Sequence, residues 1–458
     1  MLLARQRLIL SLNVATLFAA GATFFPTVAA KSQELASTPP MGWNSWDAYG
    51  TTVKESEVMA NADVMASKLR RYGWEYIVVD IQWYEPNAKA HGYTPGAVLA
   101  MDPYGRLVPA SNRFPSSAVD GGFQTLASYI HSKGLKFGIH ILRGIPRQAV
   151  DQNTPIKGSR YRAAEIADKG SVCRWNGDMY GIDMSKPGAQ DYYDSIVSMY
   201  ADWGVDFIKA DDMSRPYHQA EIGALHRAIV RSGRPIVLSL SPGPAALENI
   251  ADLRDNGQMW RIEDDLWDDW KSVKNMYSRI EAWSPLVTVG HWPDADMLPL
   301  GHIGLRAERG NDRLSALSRD EQRTMLTMWS IFRSPLMFGG DLITLDPFTT
   351  ELLTNRAVLE LDQHSTANHM VYSEGNLRAW SARSGEKSEK RMTYLALFNL
   401  GDTAIHTQIP WDKLTIHPKH GKELWTGSEM PQVAQALPID LPPHASLLYG
   451  IPQMPLKH

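Results

Sequence analysis

The stretch Val205-Asp206-Phe207-Ile208-Lys209-Ala210-Asp211-Asp212 breaks from an apolar run into a lysine and two carboxylates. A strand covered on both faces reads as near-continuous hydrophobe, so charge at its last residues marks a barrel strand emerging at the end where active sites form. A second carboxylate cluster, Glu263-Asp264-Asp265, follows Met259-Trp260-Arg261-Ile262. Two carboxylates brought together at strand ends are the minimum equipment for glycoside hydrolysis.

Outward from Asp211 the same unit recurs. Strands are expected at Met41 to Trp46, Tyr76 to Asp80, Leu135 to Ile141, Val205 to Asp211, Pro235 to Leu240, Met259 to Glu263, Leu286 to Val289 and Pro335 to Phe338. Between them, Glu55 to Arg71, Phe123 to Lys133, Ala189 to Trp203 and Gln219 to Ser232 carry apolar residues at helical spacing. Gly73, Gly134, Gly204 and Gly233 follow these helices and supply their stops. Alternating strands and helices of this kind predict an α/β fold, a (β/α)8 TIM barrel. The connection from His140 to Ala189 is too long for an ordinary turn. It carries Arg143, Arg147, Cys173, Trp175 and Asp178, and either shapes the pocket or is a structural excursion.

Beyond Gln363 the texture changes. Short β-rich runs at Leu377 to Trp380, Met392 to Phe398, Thr407 to Ile409 and Leu447 to Tyr449 are separated by turn formers. They predict a small C-terminal all-β domain, an antiparallel sandwich, over residues 364–458 after a barrel over 31–363. His417 and His420 are too isolated to argue for a metal.

Arg5 and Arg7 precede a largely apolar run from Leu8 to Phe25, and Val28-Ala29-Ala30 offers small residues before Lys31. Residues 1–30 thus read as a cleavable secretory signal, and a bacterial periplasmic or secreted location is expected, with no membrane association after cleavage. Cys173 is the only cysteine, which rules out an intrachain disulfide. A net charge of −4, from 46 basic and 50 acidic side chains, argues against nucleic acid as a partner.

Treated as one ring, the strand ends gather Trp46 with Asp47, Asp80 with Trp83, His140, Lys209 with Asp211, Ser241, Arg261 with Asp265, and Asp294 with Asp296. Such a carboxylate-rich cup with aromatic walls suits a neutral polyol, since acids accept hydroxyl hydrogen bonds and tryptophan covers the apolar face of a sugar ring. No phosphate cradle appears, and histidines and acids do not recur at ligand spacing, so neither a cofactor nor a metal is expected. Asp211 suits a nucleophile kept ionised by Lys209, two positions away on the same face. Asp265, at the start of a loop, suits an acid/base. Spacing alone leaves Asp212, Glu263, Asp264 and Asp268 as competitors.

At these residues the chain resembles glycoside hydrolase family 27, the α-galactosidases and α-N-acetylgalactosaminidases. The likeness runs from Thr38-Pro39-Pro40-Met41-Gly42-Trp43-Asn44-Ser45-Trp46, through Gly290-His291-Trp292-Pro293-Asp294-Ala295-Asp296-Met297, to Asp320-Glu321-Gln322-Arg323, Met328-Trp329-Ser330-Ile331 and Ser334-Pro335-Leu336. The resemblance implies Asp211 as the nucleophile in Lys209-Ala210-Asp211, and Asp265 as the acid/base in Trp260-Arg261-Ile262-Glu263-Asp264-Asp265. It also implies a retaining double displacement, with the two carboxyls about 5 to 5.5 Å apart, and sugar contacts from Trp46, Asp80, Lys209 and Arg261. The substrate would be the terminal sugar of an oligosaccharide or a polysaccharide side chain, with α-D-galactosides as the family default.

Departures bear on the sugar. Family galactosidases carry Asp-Asp where this chain has Asp80-Ile81, so Asp80 can hold an axial 4-hydroxyl while Ile81 offers nothing to a 6-hydroxyl. β-L-Arabinopyranose has the ring configuration of galactose without the hydroxymethyl group, which makes a β-L-arabinopyranosidase the alternative. His140 replaces the family's tyrosine. Ser241 replaces the glutamate of galactosidases, as a small residue does in the N-acetylgalactosamine-cleaving members, which makes an α-N-acetylgalactosaminidase the third reading. A non-catalytic carbohydrate-binding barrel is the alternative of a different class.

Overall fold

Seven of the eight expected strand runs are drawn into one parallel sheet of the protein, whose computed structural model describes residues 35–453 except 387, 389, 415, 417–419 and 432–434. The signal expected at residues 1–30 and His417 lie outside the described residues, while His420 is exposed. The sheet's strands are β1 (Met41–Asn44), β2 (Tyr76–Val79), β3 (Lys136–Leu142), β4 (Phe207–Asp211), β5 (Val237–Leu240), β6 (Met259–Arg261), β7 (Trp292–Asp294) and β8 (Leu336–Phe338). They run in the order β7-β6-β5-β4-β3-β2-β1-β8, every neighbouring pair parallel. The seam between β7 and β8 is closed by Leu298, whose N–H donates to Met337 O at 2.8 Å and whose carbonyl accepts the N–H of Gly339 at 3.0 Å. This is the expected (β/α)8 TIM barrel.

The helices bury the faces their spacing predicts. Ala189–Trp203 turns Tyr192, Tyr193, Ile196, Tyr200 and Trp203 inward. It stops at Gly204, whose φ of 86° is in the left-handed region that a Cβ would disfavour. Arg319–Phe332 starts in a reciprocal cap: Ser318 Oγ accepts the Glu321 N–H at 3.2 Å and Glu321 Oε2 accepts the Ser318 N–H at 2.7 Å.

The seventh strand is a correction. The run Leu286 to Val289 is not a strand: Ser284–Leu286 is a 3-10 turn, and Val289 is half exposed. Barrel strands need burial on both faces, and that is met by Trp292, Pro293 and Asp294. Pro293 is tolerated because Trp292 N–H and Asp294 O make the ladder bonds toward β6 (2.8 and 2.9 Å). The missing Pro293 N–H faces the unladdered seam toward β8.

The long connection after β3 forms a small antiparallel sheet in which Met179–Ile182 lies between Ile145–Pro146 and Ala167–Val172. The C-terminal antiparallel domain has a five-stranded sheet, Ser365–Glu374, Leu377–Ser384, Met392–Asn399, Ser446–Pro452 and Lys422–Glu423. A two-stranded ribbon of Ile405–Pro410 and Ala436–Leu441 covers it. Alternation divides its faces: Leu377, Ala379, Leu395 and Leu397 pack on the ribbon, whereas Trp380, Ala382, Tyr394, Ala396 and Phe398 join the barrel core. The sheet therefore lies between the ribbon and the barrel, with an apolar interface on each face. Among the described residues no helix is long and apolar enough to cross a membrane.

Candidate active site

Because side chains alternate along a strand, Lys209 and Asp211 share the inner face of β4, with His140 on β3 in register with Lys209. Lys209 Nζ donates to Asp80 Oδ2 at 2.8 Å, and Asn44 Nδ2, from β1, donates to the same oxygen at 2.7 Å. Asp80 Oδ1 accepts the Ile81 N–H at 2.8 Å. His140 Nε2 lies 3.3 Å from Asp211 Oδ2 and 4.0 Å from Asp80 Oδ1, and Asp211 Oδ1 accepts the Asp212 N–H at 2.9 Å. His140 and Asp80 are wholly buried.

Burial opposes ionisation of Asp211, but hydrogen bonding and charge from His140, together with Lys209, hold its carboxyl down at about 2. Asp80 is likewise lowered despite burial, chiefly by Lys209 and His140. Lys209 is raised against its own burial by Asp80 and Asp211. Asp211, Asp80, Lys209 and His140 form one cluster of ion pairs and hydrogen bonds.

Across the mouth, Asp265 follows β6 on a loop with its side chain 45% exposed. Its Oδ1 is 3.3 Å from Arg261 Nη2, while Arg261 Nη1 lies 2.8 Å from Asp296 Oδ1. Arg261 is buried and held above its ordinary range by Asp296 and Asp265, which outweigh its desolvation. Asp47, behind Trp46, is fully buried with neither carboxylate oxygen hydrogen-bonded; burial first and Asp296 next hold it well above the usual carboxylate range. Ser241 Oγ is buried and also without a partner. Ile81 is 2% exposed beside Asp80.

Trp46 stacks on Tyr93 (ring centroids 6.0 Å apart, planes at 20°), and Tyr93 leans on Trp175 at 5.7 Å. Trp175 is partly exposed, so the connection after β3 reaches this aromatic arc. Trp83 is different: it is withdrawn into the core with Phe123 and Trp203, its Nε1 donating to His140 O at 2.8 Å. Sequence reasoning missed Tyr93, Asn44 and Glu308. Tyr93 is raised by burial and then by Asp211 and Asp80, and Glu308 by burial and then by Asp265, which places both beside the cluster. Both sit on loops without periodicity, and only the opening-strand motif Trp43-Asn44-Ser45-Trp46 could have drawn attention to Asn44.

Arg143, at the end of β3, donates from Nε to Asp212 O and Oδ2, both at 3.0 Å, and from Nη1 to Glu221 Oε1 at 2.6 Å. This buried charge network braces the chain just after Asp211, where Asp212 has a φ of 60°. The thiol of Cys173 is pushed up to about 12 by burial and then by Asp212, so it is no nucleophile. Among the described residues no group of three or more His, Cys, Asp or Glu could hold a metal ion.

The model of a family described as "Alpha galactosidase A" matches residues 38–185 and 146–364, most of the chain. The chain belongs to glycoside hydrolase family 27. It is a glycoside hydrolase. Within family 27 it is 49% identical to a β-L-arabinopyranosidase of Geobacillus stearothermophilus, over 92% of this chain and 98% of that one, with a TM-score of 0.89. A variant of that enzyme has been solved with arabinose. It is 27% identical to α-galactosidase 2 of Arabidopsis thaliana over 91% of this chain and 90% of the relative. With an α-N-acetylgalactosaminidase of Gallus gallus it shares 29% identity over 72% of this chain and 71% of the relative.

Proposed function

We propose that this enzyme releases terminal β-L-arabinopyranosyl units with retention of configuration. Ile81 carries the reading. It is buried next to the Asp80–Lys209 pair, at the position from which galactosidases of the family present a second carboxylate, and it has no polar atom to offer a 6-hydroxyl. Asp80 and Lys209 remain for the ring hydroxyls that galactose and arabinopyranose share. The 49% identity to an arabinopyranosidase supports the same substrate.

In the reaction, the ionised Asp211 attacks the anomeric carbon while Asp265 gives its proton to the departing glycosidic oxygen. The resulting glycosyl ester is cleaved by water, from which Asp265 takes a proton. His140 and Lys209 keep Asp211 anionic in the free enzyme, and partial exposure of Asp265 leaves it open to exchange protons with solvent.

α-Galactosidase activity is the second reading, favoured by plant relatives of that name. Rates on p-nitrophenyl β-L-arabinopyranoside, α-D-galactopyranoside and α-N-acetylgalactosaminide separate them. The arabinopyranoside is expected to be fastest, and Ile81→Asp should raise the galactoside-to-arabinoside ratio by roughly tenfold or more, since a new hydrogen-bonding group discriminates strongly. A galactoside preference that Ile81→Asp leaves unchanged would sink the arabinopyranosidase reading.

A further inference from the structure

Asp296 follows β7 and is 2% exposed. Its backbone has a φ of 79°, a conformation that a residue other than glycine adopts at some cost, and such outliers concentrate at working sites. Two contacts pin it: its carbonyl accepts Trp329 Nε1 at 2.9 Å, and its N–H donates to Asp294 Oδ1 at 2.9 Å. The side chain so fixed reaches the loop after β6 twice. Oδ1 meets Arg261 Nη1 at 2.8 Å, and Oδ2 accepts the N–H of Leu266, the residue after Asp265, at 2.7 Å. The other terminal nitrogen of Arg261 stands at the longer distance of 3.3 Å from Asp265 Oδ1.

We propose that Asp296 is a positioning residue for Asp265. It tethers the loop through Leu266 and draws the guanidinium of Arg261 to itself, so that Asp265 is aimed at the leaving group without a close cation locking it as a carboxylate. This rests on Asp265 being the acid/base. The charged and titratable groups around the pair come from every neighbouring element: Arg261 on β6, Asp294 on β7, Asp47 behind β1, Lys209 on β4, and Glu308 and Tyr93 on the facing loops. Of these, Arg261 is the cation in contact with Asp265, at 3.3 Å.

Burial raises the Asp296 carboxyl, with Arg261 opposing and Asp265 adding to the rise; on the basic limb, where it is ionised, Asp296→Asn removes a negative charge near Asp265 and frees Arg261 from its 2.8 Å contact. Both changes stabilise the Asp265 carboxylate, so the proton is lost at lower pH. The basic limb of kcat/KM on benzyl β-L-arabinopyranoside should move down by about one unit, and kcat/KM near neutrality should fall on the order of 10²-fold, the scale of general acid catalysis. On the 2,4-dinitrophenyl glycoside, whose aglycone leaves without a proton, the loss should stay within about threefold, because only the proton donor is disturbed. Asp296→Ser, which keeps an acceptor for the Leu266 N–H without the charge, should move the limb in the same direction if Asp296→Asn folds poorly.

Asp265→Ala is measured alongside. If it shows no dependence on the leaving group, the acid/base assignment itself is wrong. If it shows that dependence while the Asp296 variants lose activity equally on both aglycones, or leave the basic limb in place, the positioning role is overturned and the assignment of Asp265 stands.

Discussion

The two carboxylates proposed to do the chemistry occupy contrasting surroundings. Asp211 ends a strand, 15% exposed, within a cluster whose other members, His140, Lys209 and Asp80, also stand on or beside strand ends. Asp265 sits on a loop, 45% exposed, with one ion pair at 3.3 Å. Strand ends in a closed sheet have little freedom, and a charge fixed there by buried partners stays fixed. A loop can be tethered by one or two bonds and still let its carboxyl gain and lose a proton each cycle. The chemistry asks for this asymmetry: the nucleophile must be a carboxylate when it attacks and again when it leaves the ester, never binding a proton, whereas the acid/base must lose and regain one.

The largest break in that comparison is at Asp211. Asp211→Gly should reduce turnover on the order of 10⁴- to 10⁶-fold, the scale seen when a covalent nucleophile is removed. Azide should restore part of the rate by entering the vacated space and yield a glycosyl azide of inverted configuration. Near-wild-type hydrolysis by this variant would remove Asp211 from the mechanism. A smaller break tests why Asp211 stays charged. Its carboxyl is held at about 2 because His140 and Lys209 overcome burial. Removing the His140 contact takes away the largest influence that lowers the Asp211 carboxyl, so His140→Phe should move the acid limb of kcat/KM upward by about one unit, with activity lost sooner as pH falls. An acid limb unmoved by His140→Phe would show that Lys209 alone sets the charge.

The strand-end side of the site was readable in sequence, and the loop side only in part. Lys209, Asp211, Asp80 and His140 announce themselves as polar residues interrupting buried apolar runs, and alternation puts them on one face. Asp265 is one of several acids on an irregular segment, and spacing cannot say which turns inward; the family motif selected it. Tyr93 and Glu308 lie on loops where no period operates, so their place beside the cluster depends on long-range packing that local sequence does not encode. β7 was misplaced for a related reason. Pro293 speaks against a strand unless the seam beside it is known to lack a ladder, and the apolar run Leu286 to Val289 offered a false alternative. The C-terminal sheet was legible as strands, but its second apolar face, which carries Trp380 and Phe398 into the barrel core, needed the fold.

The smallest expected effect concerns the aromatic arc, where the two sides of the site meet. Trp46 is buried against Tyr93, but Trp175 leans on the outer side of Tyr93, is 38% exposed and comes from the connection after β3. A ring separated from Trp46 by Tyr93 is expected to act on binding rather than on bond breaking. Trp175→Ala removes one aromatic contact of about 0.5 to 1.5 kcal/mol. That loss should appear as a rise in KM of roughly two- to tenfold with kcat nearly unchanged, because an interaction made equally in ground and transition states affects binding alone. The rise should be larger for a substrate with a sugar aglycone than for a small alcohol if the excursion faces the leaving group. A fall in kcat with KM unchanged would instead place Trp175 with the strand-end cluster, and the division between a fixed floor and an adjustable rim would have to be redrawn.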